Sequence, residues 1–384
     1  LKLTTVVVFF LLLIVVNCSS TFAGPSNFQN IYKDEVEIIE QLKEALFPAL
    51  WVGEATCKWA GIECDEDGHV THLWLASNSL KGELPVSIGR LSHLQVLDLG
   101  YNFIRGNIPV SLGNLSRLRA LYLGSNNFSG TVPRGLFQLP SLTTLTINDN
   151  PGLYGQLPDI PLGSQNVAPL SVLLAHSCSL EGPLPRVLIS HLDSLLTLRL
   201  DQNQFSGTID EDMFVNTSQL QTLTLDNNQF SGSIKFVCHV HNVRDLRLHN
   251  NKFIDNIPSC LNGERFPHLR HIKLEHNFLR SPLPPIICTI STLETFTAHN
   301  NAISGKVPSC FNPRDMPNLR TLYLHSNKFY GFYDSFNELA THPNSALLYL
   351  RIHDNPDADT SNLSPQIIAL ANQGLDVPIA TDQD

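Results

Sequence analysis

The chain has 384 residues and a net charge of −10, with 42% hydrophobic and only 16% charged residues. The acidic balance argues against nucleic acid as the main partner, and the hydrophobic fraction argues against disorder over most of the chain. The 15 histidines make the net charge depend on the pH of the compartment. We therefore expect a folded protein with no nucleic-acid partner.

Residues 1–23 have the pattern of a secretory signal peptide. Lys2 precedes a mostly apolar run over residues 4–16, and residues 21–23 form a small-residue cleavage site. The run is shorter than the roughly 20 residues that span a bilayer, which favours a signal peptide over a membrane anchor. We expect a secreted or cell-surface protein that reaches the membrane only through a continuation absent from this chain.

Secretion predicts disulfides and glycosylation in the rest of the chain. Seven cysteines follow the signal peptide, and this odd number leaves at least one without a partner in the chain. They are Cys57, Cys64, Cys178, Cys238, Cys260, Cys288 and Cys310. The N-x-[ST] acceptor pattern predicts N-glycosylation. The acceptor positions are Asn114, Asn127, Asn216 and Asn362.

The pattern L-x-x-L-x-L-x-x-N-x-L recurs about every 25 residues, a period typical of leucine-rich repeats. Its first positions are Val70, Leu94, Leu118, Leu142, Leu170, Leu195, Leu220, Val243, Leu269, Leu293, Leu319 and Leu347. Eleven of the twelve repeats have asparagine at the ninth position, and Cys178 stands there in the other. Such a register predicts an α/β repeat fold.

In each repeat, alternate apolar residues of a short strand point into the core, and stacked repeats bury them together. The strands form a parallel sheet on the concave face of a curved, right-handed leucine-rich-repeat solenoid. A ladder of buried asparagines can satisfy the backbone groups of successive turns. We expect an N-terminal cap over residues 24–69, about twelve repeats over 70–355, and a tail or truncated continuation over 356–384.

The second half of most repeats reads L-x-G-x-[IL]-P, as in residues 80–85. From residue 34 to about 355 the sequence resembles the plant-type extracellular leucine-rich-repeat family. That family includes the ectodomains of receptor-like kinases and receptor-like proteins, and polygalacturonase-inhibiting proteins. The resemblance implies that the G-x-[IL]-P segments add a second sheet. It also implies an N-terminal cap in which a disulfide joins Cys57 to Cys64.

An amphipathic helix over residues 34–46, with Val36, Ile39 and Leu42 on one face, is expected to complete the cap.

The remaining cysteines follow the repeat pattern. Cys178 stands at an asparagine position, which predicts a buried free thiol. The other four follow the [IL]-P region of successive repeats, whose coils stack at about 4.8 Å, close enough for disulfides. We expect the pairs Cys238–Cys260 and Cys288–Cys310.

The sequence has no recognised catalytic motif and predicts neither an enzyme nor a cofactor. Cys238 could chelate a metal together with His239 and His241. Because zinc sites use four well-placed ligands, the favoured interpretation is a disulfide cysteine beside surface histidines.

Ligand-binding candidates project from the concave strands and are aromatic, basic or histidine residues, and aromatics and arginine are enriched at binding hot spots. They are Trp74, Tyr101, Tyr122, Arg199, Arg247, His249, Lys273, His299, Tyr323, His325, Arg351 and His353. The N-terminal end is aromatic, whereas the half from Arg199 onward is richer in basic residues and histidine. The alternative is that these are merely solvated strand positions.

Arg247 and His249 alternate on one strand, as do Arg351 and His353. Some receptors of the resembling family hold a peptide's C-terminal carboxylate with an Arg-x-Arg pair, and this chain has histidine at the second position. A histidine is ordinarily charged below about pH 6.5. We therefore expect an acidic ligand to bind more tightly in mildly acidic fluid.

The favoured function is recognition of a peptide or protein ligand in signalling or defence, with a possible co-receptor. A soluble inhibitor of a secreted cell-wall-degrading enzyme is the first alternative, and inhibition of a fungal polygalacturonase would identify it. A structural or ice-binding protein is the second alternative, although charges interrupt the concave threonines.

Overall fold

A computed structural model provides the structure of the protein. It describes residues 31–46, 51–55, 57–164, 166–343, 345–359, 361–365 and 367. The predicted signal peptide over residues 1–23 lies outside these ranges. Within them, no helix has the length and apolar character needed to cross a membrane.

The repeats stack so that their first strands form one sheet of 13 strands. Ile62–Cys64 of the cap pairs antiparallel with Val70–Trp74, and all later pairs are parallel. The later strands are Val96–Asp98, Ala120–Tyr122, Thr144–Thr146, Val172–Leu174, Thr197–Arg199, Thr222–Thr224, Asp245–Arg247, His271–Lys273, Thr295–Thr297, Thr321–Tyr323 and Tyr349–Arg351. Each predicted repeat contributes one parallel strand, so the leucine-rich-repeat solenoid is confirmed.

A second sheet of eight strands is built from the segments that contain the repeated glycine. Its strands are Lys81–Glu83, Phe103–Asn107, Asn127–Gly130, Gly152–Gly155, Ser179–Gly182, Gln204–Thr208, Gln229–Gly232 and Lys252–Phe253. Two further strands, Ser304–Lys306 and Lys328–Gly331, pair separately. The second sheet implied by the family resemblance is therefore present, and the apolar core lies between it and the concave sheet.

The cap helix is Lys33–Leu46, and it buries Ile38, Ile39 and Leu42 against the first repeats. Val36, which was predicted on this face, is only partly buried. The close approach of the helix depends on Gly82, where a Cβ atom would lie 2.0 Å from the carbonyl oxygen of Ala45.

The other helices are short, and each lies in the segment that leads to the first strand of the following repeat. The α-helices are Arg186–Ser190 and Glu338–Thr341, and the 3-10 helices are Val86–Arg90, Val110–Asn114, Arg134–Gln138, Lys235–His239, Pro285–Thr289 and Asp334–Asn337.

The asparagine ladder forms as the sequence predicts. The Nδ2 of Asn150 donates to the carbonyl oxygens of Leu123 and Ile147, both at 3.0 Å. Its Oδ1 accepts the N–H of Phe128 at 2.9 Å. The residue before every ladder position is a non-glycine residue with φ between 52° and 56°. Because this left-handed conformation is unfavourable for such residues, the ladder bonds hold a strained turn in each repeat.

The structure has three disulfides, Cys57–Cys64, Cys238–Cys260 and Cys288–Cys310. These are the pairs that the sequence analysis assigned. Cys238 is consumed by its disulfide, so it cannot supply a thiolate to a metal beside His239 and His241.

Cys178 is the free cysteine of the described residues and is partly rather than fully buried, and this partial burial raises the pKa of its thiol from 9.0 to about 11. The thiolate is the reactive form, and a rise of two pKa units lowers its population about 100-fold.

We expect Cys178 to react with a thiol reagent at pH 8 about 100 times more slowly than an unburied cysteine. Ellman's reagent measures this rate, and full reactivity after unfolding in guanidinium is the control. Rapid labelling of the folded protein would contradict the buried position.

The segment directly after Asn355 packs against the last repeats. Asp359 pairs with Gly331 in a parallel bridge, and Leu363 and Ile367 are buried. The predicted tail or truncated continuation over 356–384 stays a prediction, and residues 368–384 lie outside the described part of the chain.

Candidate ligand-binding face

The concave sheet presents its outward side chains in columns, because parallel strands in register align equivalent positions. The register Trp74, Asp98, Tyr122 on three neighbouring strands shows one such column. Three groups of candidate residues occupy different parts of this face: an N-terminal aromatic group, a central ion-pair network and a C-terminal histidine cluster.

The N-terminal aromatic group contains Trp74, Tyr101 and Tyr122. The side chain of Trp74 stacks on His72 with ring centroids 5.7 Å apart. Tyr101 is 61% exposed and stands in a strained turn with φ of 55°. Tyr122 is half-buried, and burial, followed by the charge of Asp98, raises the pKa of its hydroxyl. Trp74 and Tyr101 are therefore the accessible members.

The central ion-pair network is centred on Asp201, which is 3% exposed. Arg199 donates two hydrogen bonds to this carboxylate, at 3.2 and 3.0 Å. The hydroxyl of Thr224 donates a third at 2.5 Å. Burial raises the pKa of Asp201, but the bonds from Arg199 and Thr224 outweigh it, so the pKa is lowered overall. Asp201 is an ionised, fully bonded carboxylate.

Asp226 belongs to the same network but has poorer partners. Asn227 donates a hydrogen bond to the Oδ2 of Asp226, and this oxygen also lies 3.3 Å from the Nε2 of His249. The buried Oδ1 of Asp226 has no hydrogen-bond partner among the described residues. Burial, and then the charge of Asp201, raise the pKa of Asp226 to about 6. Asp226 is thus a buried carboxylate that is destabilised when it ionises.

The sequence analysis expected Arg247 and His249 to be adjacent cations, and the structure contradicts this. Arg247 is bound by Asp245, with its terminal nitrogen 2.6 Å from a carboxylate oxygen. The hydrogen bonds that Arg247 donates to Asp245 raise the pKa of Arg247 despite its partial burial, so its charge is permanent but already paired. Burial lowers the pKa of His249. The Arg199 and Arg247 side chains therefore stabilise the sheet rather than offer free charge.

The C-terminal histidine cluster joins the repeats of three neighbouring strands, Thr295–Thr297, Thr321–Tyr323 and Tyr349–Arg351. His299 stacks on His325 with ring centroids 4.2 Å apart, and His325 stacks on His353 at 4.6 Å. Tyr323 contacts the edges of the His299 and His325 rings. The guanidinium of Arg351 lies over the Tyr323 ring at 4.9 Å. The structure thus brings all five of these predicted residues into one aromatic and cationic surface.

The pH dependence of ligand binding was predicted from His249 and His353 and stays a prediction, although burial lowers the pKa of His249. Burial, and then the charge of His325, lower the pKa of His299 to about 3. Burial, and then His353 and Arg351, lower the pKa of His325 to about 4. The rings of His299 and His325 are therefore mainly neutral in mildly acidic fluid. Their stacking was not visible in the sequence, where the residues are 24 or more positions apart.

Three further basic residues of this half belong to the repeats that begin at Val243, Leu269 and Leu319. Arg244 and Arg320 are exposed, and Lys273 is partly exposed on its strand. Within the described residues, none of these three has a carboxylate within ion-pair distance, whereas Arg270 contacts Glu294 at 3.4 Å. Arg244 and Arg320 were not among the ligand-binding candidates of the sequence analysis, yet they are exposed, whereas Arg199 and Arg247 are bound by carboxylates.

All four predicted glycosylation acceptors are exposed, as attachment of a glycan requires. They are Asn114, Asn127, Asn216 and Asn362.

A family model described as a leucine-rich repeat region matches residues 68–340. The chain belongs to the leucine-rich repeat family. Among solved structures it is similar to PEPR1 in a complex named PEPR1-AtPEP1, with 25% identity and a TM-score of 0.61, over 84% of this chain and 52% of that one. This repeat protein also resembles the Arabidopsis receptor kinase HAESA ectodomain in complex with an N-terminally extended IDA peptide hormone. That similarity has 26% identity and a TM-score of 0.51, over 84% of this chain and 63% of HAESA.

These likenesses confirm the resemblance to plant receptor ectodomains. The leucine-rich-repeat chain spans only about half of PEPR1 and less than two thirds of HAESA. It is also similar to a plant ice-binding protein, with 25% identity and a TM-score of 0.61, over 78% of this chain and 98% of that one.

Proposed function

We propose that this chain is an extracellular recognition module that binds an acidic peptide or protein ligand. The binding surface is the concave face of the repeats that begin between Val243 and Leu347. The observation that carries the proposal is the contact of His299, His325, His353, Tyr323 and Arg351 in one cluster, with the unpaired Lys273 on the adjoining strand. The role of the bound ligand is signalling or defence, and a co-receptor remains a prediction.

The chemistry of this surface suits an acidic peptide. Unpaired guanidinium and ammonium groups attract carboxylates, and an aromatic floor offers large contact area to apolar side chains. Tyr323 and the stacked histidines are held rigid by their mutual ring contacts, which lowers the entropy lost on binding. The central network differs because Arg199 and Arg247 already bind carboxylates of this chain. The central ion-pair network stabilises the sheet next to the proposed surface.

Two of the similar solved chains support a peptide ligand. The HAESA structure contains a peptide hormone, and the PEPR1 structure is a complex with AtPEP1. Extracellular location is supported by these ectodomains and by the three disulfides of this chain, since disulfides persist in oxidising compartments.

The concave threonines favour ligand recognition over ice binding. Thr146, Thr224 and Thr297 are buried in the sheet. The hydroxyls of Thr224 and Thr297 donate to the carboxylates of Asp201 and Glu275, each at 2.5 Å. These hydroxyls are used within the chain, so they do not form a flat exposed array.

The proposal is tested with peptides selected from a random library for binding to the secreted chain. The doubly reversed variant Lys273→Glu, Arg320→Glu is expected to weaken their affinity about 10-fold or more, since each charge contact is worth roughly 1 kcal/mol. Calorimetry measures the affinity. Arg105→Glu, an exposed position of the second sheet, is the matched control and should bind normally. Equal weakening by both variants, or by neither, would refute the assigned surface.

A further inference from the structure

Three potential metal ligands meet where the cap joins the first two repeats. They are Glu35, His69 and His93, and one ligand atom of each lies within 4.8 Å of the others. The residues are distant in sequence: Glu35 is in the first turn of the cap helix, His69 precedes the strand Val70–Trp74, and His93 precedes Leu94 of the next repeat. The cluster thus connects three separate parts of the fold.

The Glu35 carboxylate is buried, with 4% of the residue exposed. Its Oε2 accepts the backbone N–H of Val70 at 2.7 Å, which orients the group. Its Oε1 lies 3.2 Å from the Nδ1 of His69. Bonds of about 2.0–2.1 Å to a tetrahedral zinc ion would place two ligand atoms about 3.3 Å apart. The observed separation is therefore compatible with a shared cation.

The hydrogen bond between Glu35 and His69 does not account for the position of the third residue, His93. The His93 ring lies 3.8 Å from that of His69, centroid to centroid. Its Nδ1 is buried and has no hydrogen-bond partner in the described part of the chain. Burying an imidazole nitrogen without a partner is unfavourable, and coordination of a cation by the ring is one way to offset this cost.

We propose that Glu35, His69 and His93 bind a divalent transition-metal ion of the zinc class. Two imidazoles and one carboxylate are a known zinc donor set that leaves a fourth position for water. The Val70 N–H supplies the outer hydrogen bond that fixes a ligating carboxylate. The His69 side chain is 18% exposed, so the ion has a path from solvent. Bound there, the ion clamps the cap helix onto the first two repeats.

The test uses untagged, metal-free protein titrated with zinc chloride by calorimetry and by thermal unfolding. We expect one zinc ion per chain and a rise in melting temperature of about 3–5 °C at saturating zinc. The variants His93→Gln and Glu35→Gln are expected to lose this site. His241→Gln, which changes the histidine beside the Cys238 disulfide, is the matched control and should keep it. Retention of the site in both cluster variants would overturn the proposal.

A second measurement needs no variant, so it remains decisive if the substitutions impair folding. X-ray absorption at the zinc edge of the one-to-one complex should show nitrogen and oxygen ligands with about two imidazoles. Sulfur ligands, one imidazole or none, or the absence of stoichiometric binding would overturn the proposal. In that case the cluster would be a structural hydrogen bond between Glu35 and His69 only.

Discussion

Replacing Asn150 by alanine is expected to lower the free energy of unfolding by about 3–5 kcal/mol. Asn150 is fully buried, and its amide satisfies backbone groups of two repeats. The substitution leaves buried carbonyl oxygens and an N–H group without partners. It also releases the turn at Asp149, whose φ of 53° is unfavourable for a residue other than glycine.

Asn78→Ala is the matched control for this prediction. Asn78 is the first ladder residue and is partly exposed, and its side chain donates to the carbonyl of Ala76 alone, at 2.9 Å. We expect its loss to cost less than about 1 kcal/mol. Urea unfolding followed by circular dichroism measures both variants. Similar losses for the two would show that burial within the ladder is not the source of its stability.

Neutralising two neighbouring aspartates of the central network is expected to change stability in opposite directions. The pKa of Asp226 is raised to about 6, so the folded state holds its proton more tightly than the unfolded state. Unfolding free energy therefore falls as pH rises from about 4 to 6. Asparagine does not ionise, so Asp226→Asn removes this fall in the free energy of unfolding. The variant should be more stable than the wild type at pH 7 by about 1–3 kcal/mol.

Asp201→Asn is expected to destabilise the protein. The pKa of Asp201 is lowered, so its ionised form stabilises the folded state above its unfolded pKa of about 3.9, and this contribution is lost as pH falls through the folded pKa. The substitution breaks the ion pair with Arg199 and leaves that charge uncompensated, at a cost of about 2–4 kcal/mol at pH 7.

Melting temperatures of the wild type and both variants, measured between pH 4 and pH 8, test the pair. The Asp226→Asn variant should gain on the wild type as pH rises, while Asp201→Asn should remain below it at pH 7. Destabilisation by both substitutions at pH 7 would mean that Asp226 is stabilised by its neighbours when ionised.

The solenoid could be predicted from the sequence because its determinants are local and repeated. Leucine and asparagine recur at fixed positions of each repeat. The leucines fill the core, and the asparagines bond the backbone of successive turns. The disulfides between neighbouring repeats followed from the same register, since equivalent positions of stacked coils are close. The cap helix was predicted from its apolar spacing, with a small error at Val36.

The electrostatics of the concave face could be predicted only in part. Asp245 and Arg247 are two residues apart on one strand and therefore share a face, so their pairing was present in the sequence as a signal that was not used. The stacking of His299, His325 and His353 depends on the depth of each ring in the sheet. That depth sets the desolvation that lowers the pKa values of His299 and His325, and residue type alone does not reveal it.

The cluster of Glu35, His69 and His93 was missed for a different reason. Glu35 belongs to the cap helix, His69 directly precedes a strand, and His93 lies in a loop. These residues are 34 and 24 positions apart in the sequence. No motif has this spacing, and only packing of the cap helix against the first repeats brings them together.

The central claim is that an acidic ligand lies on the concave face of the C-terminal repeats. The most direct measurement is photo-crosslinking of a selected peptide that carries a photoreactive group at each position in turn, followed by mass spectrometry of the adducts. The account predicts crosslinks within the segments around His271–Lys273, Thr295–Thr297, Thr321–Tyr323 and Tyr349–Arg351. Crosslinks confined to the second sheet, or to the N-terminal repeats around Trp74 and Tyr101, would contradict it.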